Sequence, residues 1–305
     1  MFMRVGVLMG GESSERSVSL RSGQAVSDAI TELGYDVVAI DPKELYETLD
    51  ALTSVDKVFI ALHGSLGESG HVQGLLDWLK IPYTGSGLAS SALCLNKLRT
   101  RQILAQRGFH YANWHSVHRE HAMAENIAIA DSMGYPLVVK PSSQGCSIGV
   151  NKVESPDELA TAIRQAFDYD DDILLESFIS GREYTCGILG DRALPVVQIC
   201  SDTFFDWSAK FGAQTASYHC PSDLAAETEQ AIQQLALNAF HALGCRGWGR
   251  LDVILGDDGK IHPIEMNTSP GMTPRSVFPM ATREIGLDFP QTIEQILALA
   301  SFDPV

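Results

Sequence analysis

The sequence has few basic residues. Lys and Arg number 22 against 38 Asp and Glu, which gives a formal net charge of −16. A chain of this charge is repelled by the phosphates of nucleic acids and by anionic membrane surfaces, so we expect neither as a partner. A small anionic ligand is still compatible with this composition, because a few local lysines and arginines can hold one.

Paired cysteine motifs are also missing. The chain has no CxxC, and its six cysteines are scattered: Cys94, Cys146, Cys186, Cys200, Cys220 and Cys245. This argues against a zinc site and a disulfide framework and is typical of reduced thiols. No apolar run is long enough to cross a bilayer, and the run before Gly10 is too short for a signal peptide. We therefore expect a cytoplasmic protein.

Two familiar nucleotide motifs are absent as well. The loop after Lys140, PSSQGCSIG, has neither the GxxxxGK[ST] of a P-loop nor the GxGxxG of a dinucleotide site. Its small residues can still offer backbone N–H groups to phosphate oxygens, with Lys140 as a point charge. The alternative is a flexible hairpin loop with a surface lysine.

The length of 305 residues exceeds what one hydrophobic core usually supports, so we expect several domains. Strands alternate with helices up to about residue 87, which predicts a doubly wound parallel sheet with helices on both faces. Ligands bind at the carboxyl ends of such strands, where Glu15 and His63 stand. After a helix predicted over 88–108, the pattern changes to two α+β lobes. We place the domains at 1–92, 93–182 and 183–305.

A predicted hairpin near the C-terminus carries the most unusual side chains. Two apolar runs, 251–255 and 260–266, flank the turn Gly256-Asp257-Asp258-Gly259. If Asp257 and Asp258 form a two-residue loop, Asp252 pairs with Pro263 and Arg250 with Glu265. The pairing sets which residues of the two strands share a face, which is the parity of the hairpin. A three- or five-residue loop would break this parity.

In this register four polar side chains share one face of the hairpin: Arg250, Asp252, Glu265 and Asn267. Two carboxylates and an amide among apolar strands are costly without a counter-charge, and hard oxygen ligands suit Mg²⁺. The alternative is an Arg250–Glu265 ion pair at a polar sheet edge. The segment LLESFISGRE adds Glu176 and Glu183, which could serve a nucleotide or simply be solvated.

The order of these features resembles the ATP-grasp superfamily, in which two α+β lobes clamp Mg-ATP. Five stretches narrow the resemblance: LMGGESSERSVSL, ALHGSLGESGHVQGLL, PYTGSG, GWGRLDV and EMNTSPGMTP. They are similar to D-alanine–D-alanine ligases, and the similarity runs from about Val5 to Leu299. The family joins two D-alanines with ATP through an acyl phosphate, for peptidoglycan synthesis, and is usually a homodimer.

The resemblance implies roles for the residues that match the family. Glu15 would bind the ammonium of the first D-alanine, with His63 nearby. Arg250 and the backbone N–H of Gly271 would form an oxyanion site, and Ser276 would take the carboxylate of the second D-alanine.

The resemblance also implies a nucleotide site and a metal site. The nucleotide would be held by Lys97, Lys140, Ser147, Glu176, Ile179, Glu183 and Lys210, the last closing over the γ-phosphate on a mobile loop. Two Mg²⁺ ions, which Mn²⁺ could replace, would be held by Asp252, Glu265 and Asn267.

Three positions depart from the family pattern. Cys146 and Phe211 stand where a Ser and a Tyr usually link by hydrogen bonds to the N-terminal Glu. Cys is a weak donor and Phe has no hydroxyl, so we expect the link from Glu15 to be weaker or absent. Ser177 replaces a Lys near the adenine, so nucleotide affinity is expected to be lower.

Two alternatives to a D-alanine–D-alanine ligase follow. The first is a depsipeptide ligase that makes D-alanyl-D-lactate, which Phe211 favours. The second is a nucleotide-binding regulatory protein without turnover, against which the intact set of Lys97, Lys140, Arg250 and the three metal ligands argues.

Overall fold

The N-terminal sheet is parallel and covered on both faces. The computed structural model describes residues 3–200 and 217–304, so Lys210 and Phe211 lie outside it. Three strands pair in the order β2-β1-β3: β1 (Arg4–Leu8), β2 (Asp36–Ile40) and β3 (Lys57–Ile60). Four helices accompany them: α1 (Arg16–Glu32), α2 (Leu45–Leu52), α3 (Ser65–Glu68) and α4 (His71–Leu79).

The alternation of side chains along β1 explains the two covered faces. Val5 and Val7 enter a core with α1, whereas Leu8 enters a second core with Leu76 of α4. Successive residues of a strand point to opposite faces, so an apolar run such as VGVL fills both cores. The predicted doubly wound sheet is confirmed.

The middle of the chain forms a separate antiparallel sheet. Its order is β4-β7-β5-β6, with β4 (Trp114–His118), β5 (Leu137–Pro141), β6 (Asn151–Val153) and β7 (Asp172–Ser177). The accompanying helices are α5 (Leu88–Leu95), α6 (Lys97–Gln106), α7 (Met123–Met133) and α8 (Pro156–Phe167). Helix α8 packs Leu159 and Ile163 against β5 and β7, which closes a core of its own.

The helix predicted over 88–108 is in fact two helices, which corrects the sequence-based expectation. Asn96 has extended backbone angles, and its side chain accepts a hydrogen bond from the N–H of Arg99 at 2.9 Å. Asn is among the best residues for this capping role, so it ends α5 and begins α6 at Lys97.

A third, larger sheet carries the hairpin. Its order is β11-β10-β8-β12-β13, with β9 beside β8: β8 (Gly181–Leu189), β9 (Arg192–Ala193), β10 (Val197–Cys200), β11 (Ser217–His219), β12 (Trp248–Gly256) and β13 (Ile261–Asn267). Three more helices are α9 (Ala226–Ala242), α10 (Val277–Arg283) and α11 (Phe289–Ala298). The predicted mixture of α/β and α+β units is confirmed, while the domain boundaries stay a prediction.

The hairpin register differs from the predicted one. Leu255 pairs with Ile261, which leaves more than two residues in the loop, so the predicted two-residue turn is wrong. A second irregularity follows, because Val253 pairs with Pro263 but Asp252 pairs with Glu265, leaving one residue of β13 unpaired. Each irregularity shifts the pairing by one residue, and together they restore the parity of the side chains. The four polar side chains therefore do share one face.

Aromatic packing joins the third sheet to the N-terminal sheet. Trp248, at the start of β12, is 1% exposed. Its ring centroid lies 6.1 Å from that of Phe59 on β3 and 5.1 Å from that of Phe278 on α10. The contact fixes how the carboxyl ends of β1 and β3 face β12 and β13. Within the described ranges, no helix is long and apolar enough to span a bilayer.

Replacing Trp248 by Ala is expected to lower the free energy of unfolding by about 3–5 kcal/mol, since the side chain leaves a cavity between two units. Chemical denaturation followed by circular dichroism measures the change. The matched control is Trp78→Ala, since Trp78 on α4 is 75% exposed. Equal stability losses in the two variants would contradict the role given to Trp248.

Candidate active site

A cavity of about 310 Å³ lies where the carboxyl ends of the parallel strands face the hairpin. Most of the predicted substrate and metal residues line it: Glu15, His63, Arg250, Asp252, Glu265, Asn267, Gly271 and Ser276. Cys146 also lines it, from the loop after β5. The cavity thus brings together residues from all three sheet units.

The Asp252 carboxylate at the cavity accepts hydrogen bonds from three side chains. It is 4% exposed and accepts two hydrogen bonds from Arg250, at 2.8 and 2.7 Å. Thr185 on β8 donates to it at 2.5 Å, and the amide nitrogen of Asn267 donates at 3.0 Å. Burial would lower the pKa of Arg250, but the Asp252 carboxylate raises it above its ordinary value. Arg250 therefore stays charged.

Glu265, across the hairpin from Asp252, faces a lysine. Lys97 Nζ lies 3.1 Å from a carboxylate oxygen of Glu265 and donates to the carbonyl of Gln144 at 2.5 Å. The second bond ties Lys97 to the loop after β5. The alternative assigned an ion pair to Arg250 and Glu265, whereas the structure records pairs of Arg250 with Asp252 and of Lys97 with Glu265.

The donor set of this face suits a hard divalent cation. Asp252 and Glu265 supply carboxylate oxygens, and Asn267 can supply an amide oxygen, the ligand types that Mg²⁺ prefers. In the structure Arg250 and Lys97 balance the two carboxylates. A buried carboxylate needs such a counter-charge, and a cation beside these oxygens would serve equally well. The three residues therefore fit the predicted metal site.

A second cluster of buried charges lies at the central sheet. Lys140 Nζ contacts Glu176 Oε2 at 2.5 Å, and Arg101 pairs with the other oxygen of the same carboxylate. Burial lowers the pKa of Lys140. For Glu176 burial acts to raise the pKa, but Arg101 and Lys140 outweigh it, so the net pKa is lowered. Glu176 is therefore a buried ionised carboxylate, and the alternative of a solvated one is wrong.

Glu15 lies at the start of α1 and is 5% exposed. Burial raises its pKa, and the neighbouring Glu68 adds to this effect. Cys146 Sγ donates to Glu15 Oε2 at 2.7 Å. The link expected to be weaker or absent is therefore present as a contact, although a thiol is a weak donor.

His63 joins the N-terminal unit to the loop after β13. Its Nδ1 lies 3.1 Å from the carbonyl oxygen of Ser269, and its Nε2 lies 3.0 Å from Ser22 Oγ. Ser22 Oγ also accepts from the N–H of Met272 at 3.2 Å. With Nδ1 as the donor to the carbonyl, Nε2 accepts from the serine, so the ring links the N-terminal unit to the loop after β13.

Comparison with known proteins identifies the family. The family profile described as the D-ala D-ala ligase C-terminus matches residues 103–298, and the one for the N-terminus of these ligases matches residues 41–86. The chain belongs to the D-alanine–D-alanine ligase family. The resemblance inferred from the motifs is confirmed, and with it the ATP-grasp fold and the class of enzyme, a ligase.

Solved structures agree with this assignment over nearly the whole chain. A Bacillus anthracis D-alanine–D-alanine ligase complexed with ATP is 32% identical, with a TM-score of 0.87 and coverage of 97% of both chains. Another structure of a ligase from that organism is 34% identical, with a TM-score of 0.89 and the same coverage. The VanG D-Ala:D-Ser ligase of Enterococcus faecalis is 30% identical, with a TM-score of 0.86, over 98% of this chain and 99% of that one.

Of the other residues predicted for this ligase, Ser276 lines the cavity, whereas Ser147, Ile179 and Glu183 lie elsewhere. Ser276 precedes α10, and its Oγ accepts from the N–H of Thr273 at 3.0 Å. Ser147 lies in the loop after β5 with a φ of 60°. Ile179 lies in the connector between β7 and β8, and Glu183 lies on β8 opposite Ile254. These last three do not line the cavity, and Lys210 lies outside the described residues.

Three residues that contact predicted site residues of this ligase had no role assigned from the sequence. Arg101 stands one helical turn after Lys97, a spacing that places both on one face of α6 and could have revealed it. Glu68, the last residue of α3, lines the cavity, and its carboxylate lies 3.8 Å from His63 Nδ1. Thr185 had no local signal, because only the pairing of β8 with β12 brings it to Asp252.

Replacing Arg101 by Met is expected to lower the free energy of unfolding by about 3 kcal/mol near neutral pH, because it breaks a buried ion pair. The pKa of Glu176 is lowered in the folded state, so its ionised form stabilises the fold above the unfolded-state pKa of about 4.3. This contribution is lost as the pH falls through the lowered folded-state pKa, so the difference between wild type and variant should shrink below about pH 4.3.

Urea denaturation of both proteins across this pH range measures the difference. Arg99→Met is the matched control, because Arg99 is an exposed arginine on the same helix. A gap between wild type and Arg101→Met that stays constant down to pH 3 (about one unit below the unfolded-state value) would contradict the assignment.

Proposed function

We propose that this ligase joins two D-alanine molecules into D-alanyl-D-alanine with ATP, as a step in making peptidoglycan precursors. One observation carries the proposal. A single cavity is lined by a carboxylate for an ammonium group (Glu15), a cationic hydrogen-bond donor (Arg250) and an oxygen donor set (Asp252, Glu265, Asn267). The family and the Bacillus anthracis ligase complexed with ATP support the same activity.

The first half-reaction needs the carboxylate of one D-alanine near the nucleotide. The ATP γ-phosphoryl group would pass to that carboxylate, and ADP would leave behind an acyl phosphate. Glu15 would hold the ammonium group of this D-alanine, a role that its burial beside His63 supports, since a buried carboxylate gains most from a paired cation. Ser276 would receive the carboxylate of the second D-alanine.

The second half-reaction develops negative charge on the carbonyl oxygen. The amine of the second D-alanine, in its neutral form, would attack the acyl phosphate, lose its proton and release phosphate. Arg250 and the backbone N–H of Gly271 would stabilise the oxyanion, and the loss of one such donor typically costs about 10²–10³ in kcat. The support for Arg250 is its charge and its position among cavity-lining residues.

The nucleotide would lie between the central and third sheets. Lys97 and Lys140 would contact its phosphates, as would Ser147 from the glycine-containing loop and Lys210 from the segment that follows β10 in the sequence. The connector around Glu176 and Ile179 would receive the adenine, and Glu183 the ribose. Mg²⁺ or Mn²⁺, held by Asp252, Glu265 and Asn267, would supply positive charge to the phosphate oxygens.

The competing function is the ligation of D-alanine to a different second substrate. The similarity to the VanG D-Ala:D-Ser ligase and the presence of Phe211 both favour it. Such an enzyme would accept D-serine, or D-lactate to give a depsipeptide. We also carry over from the family a cytoplasmic location and a homodimeric state. Gel filtration with light scattering would test the homodimer.

Phosphate release tests the proposed function directly. The enzyme receives Mg-ATP with D-alanine alone, with D-alanine plus D-lactate, or with D-alanine plus D-serine, and products are identified by mass. We expect release with D-alanine alone and the dipeptide as product. Glu265→Gln should nearly abolish it, because a neutral amide holds a divalent cation poorly.

The matched control is Glu294→Gln, an exposed glutamate on α11 that should leave the rate unchanged. Release only in the presence of D-serine or D-lactate would assign the competing function. If no phosphate is released with any of the substrate pairs, the result would support the nucleotide-binding regulatory protein without turnover.

Restoring the usual family residues tests the departure at Cys146 and Phe211. A hydrogen bond to a charged group is worth about 1.5–3 kcal/mol, and a hydroxyl is a stronger donor than a thiol. Cys146→Ser with Phe211→Tyr should therefore lower the KM for D-alanine and shift product towards the dipeptide in the D-lactate competition.

The two changes should be non-additive, because they would complete one network with Glu15. Steady-state kinetics of both single variants and the double variant, with product ratios, provide the measurement. Independent effects, or a double variant that behaves like wild type, would show that Phe211 acts only through packing.

A further inference from the structure

A cluster of two histidines and one aspartate lies outside the cavity. His110 follows α6, Asp258 lies in the turn between β12 and β13, and His262 lies on β13. One ligand atom from each lies within 4.8 Å of the others. We propose that this His110–Asp258–His262 cluster binds a transition-metal ion of the Zn²⁺ class, distinct from the cation expected at Asp252.

The spacing of the ligand atoms supports metal binding. His262 Nε2 lies 3.5 Å from Asp258 Oδ1, and the two imidazole ring centroids are 5.0 Å apart. Bonds of about 2.0–2.1 Å in a tetrahedral site place neighbouring ligand atoms about 3.3 Å apart. The His262–Asp258 pair already has this separation, and His110 is exposed enough to rotate towards it.

Packing on both sides holds the cluster in place. The neighbours of His110 in the chain, Phe109 and Tyr111, pack against the core under β8, β12 and β13. His262 itself is 4% exposed. The backbone that carries His110 is therefore held beside His262 before any ion binds, which reduces the entropy lost on binding.

The buried imidazole of His262 is only weakly bonded in the described part of the chain. Its Nδ1 is buried without a partner in the described part of the chain, and the 3.5 Å separation of Nε2 from Asp258 is longer than an ordinary hydrogen bond. A bound ion would give His262 Nε2 a stronger partner than Asp258 does at this distance.

The chemistry of the ligands selects the ion. Two imidazole nitrogens and one carboxylate favour Zn²⁺, Co²⁺ or Ni²⁺ over Mg²⁺, which prefers oxygen ligands. Lys260 is the nearby cation, with Nζ 3.6 Å from Asp258 Oδ2, and its exposed side chain is free to move aside. Three protein ligands leave a fourth position of a tetrahedral site for water.

Ion binding at this cluster would stiffen the connector before β8. The neighbouring Asp257 accepts a hydrogen bond from Ser180 Oγ at 2.5 Å, and its N–H donates to the Ser180 carbonyl at 2.9 Å. An ion held by Asp258 would fix the turn that carries both bonds. Binding to the folded state alone raises thermal stability, so a shift in Tm should accompany occupancy.

Titration of the full chain with Co²⁺, followed by its visible absorption, tests the proposal. Mg²⁺ is present in large excess to occupy the oxygen donor set, and Zn²⁺ is then added to displace Co²⁺. We expect one Co²⁺ per chain, its displacement by Zn²⁺, and a rise in Tm with Zn²⁺. His110→Ala and Asp258→Asn change exposed residues, and each should weaken binding at least about tenfold and remove the shift in Tm.

The matched control is His118→Ala. His118 and His121 form another imidazole pair, with centroids 5.9 Å apart and carboxylates nearby. This variant should bind Co²⁺ like wild type. The proposal is overturned if wild type binds neither ion, if all variants bind equally, or if His118→Ala is the one that loses binding.

Discussion

The burial of the Asp252 carboxylate is the constraint on which the cavity depends. A buried carboxylate is tolerated only with charge compensation and hydrogen bonds, and Asp252 has both from Arg250, with Thr185 and Asn267 completing the set. These partners lie on three adjacent strands, and they meet only in one register. Compensation of the charge and pairing of the strands therefore depend on each other.

Apolar packing then decides what faces this group. Trp248 begins the strand that carries Arg250 and Asp252, and it packs against Phe59 of the parallel sheet. This contact sets the carboxyl ends of β1 and β3, with Glu15 and His63, opposite the hairpin. The bonds of His63 to Ser22 and to the Ser269 carbonyl secure the same junction with polar groups. Hydrophobic burial thus supplies the attraction, and directional bonds supply the alignment.

Much of the candidate site could be predicted from the sequence, because several of its polar residues occur at positions where such residues are unusual. Carboxylates at Asp252 and Glu265 interrupt apolar strands, and Glu15 and His63 follow strand ends, so each stands out from its neighbours. Thr185 could not be found this way, since a threonine in a strand is ordinary. Arg101 was overlooked because an arginine on a helix usually lies in solvent, whereas here it is 4% exposed and paired with Glu176.

By itself the sequence indicated the alternation of strands and helices, the family, and most of the predicted side chains that line the cavity, because periodicity and motifs are local properties. The tertiary structure alone decided the hairpin register, in which two one-residue irregularities restore the parity that the simple turn had predicted. It also decided that Cys146 meets Glu15, 131 residues away. Such contacts depend on how separately folded cores pack together, and no stretch of neighbouring residues records that packing.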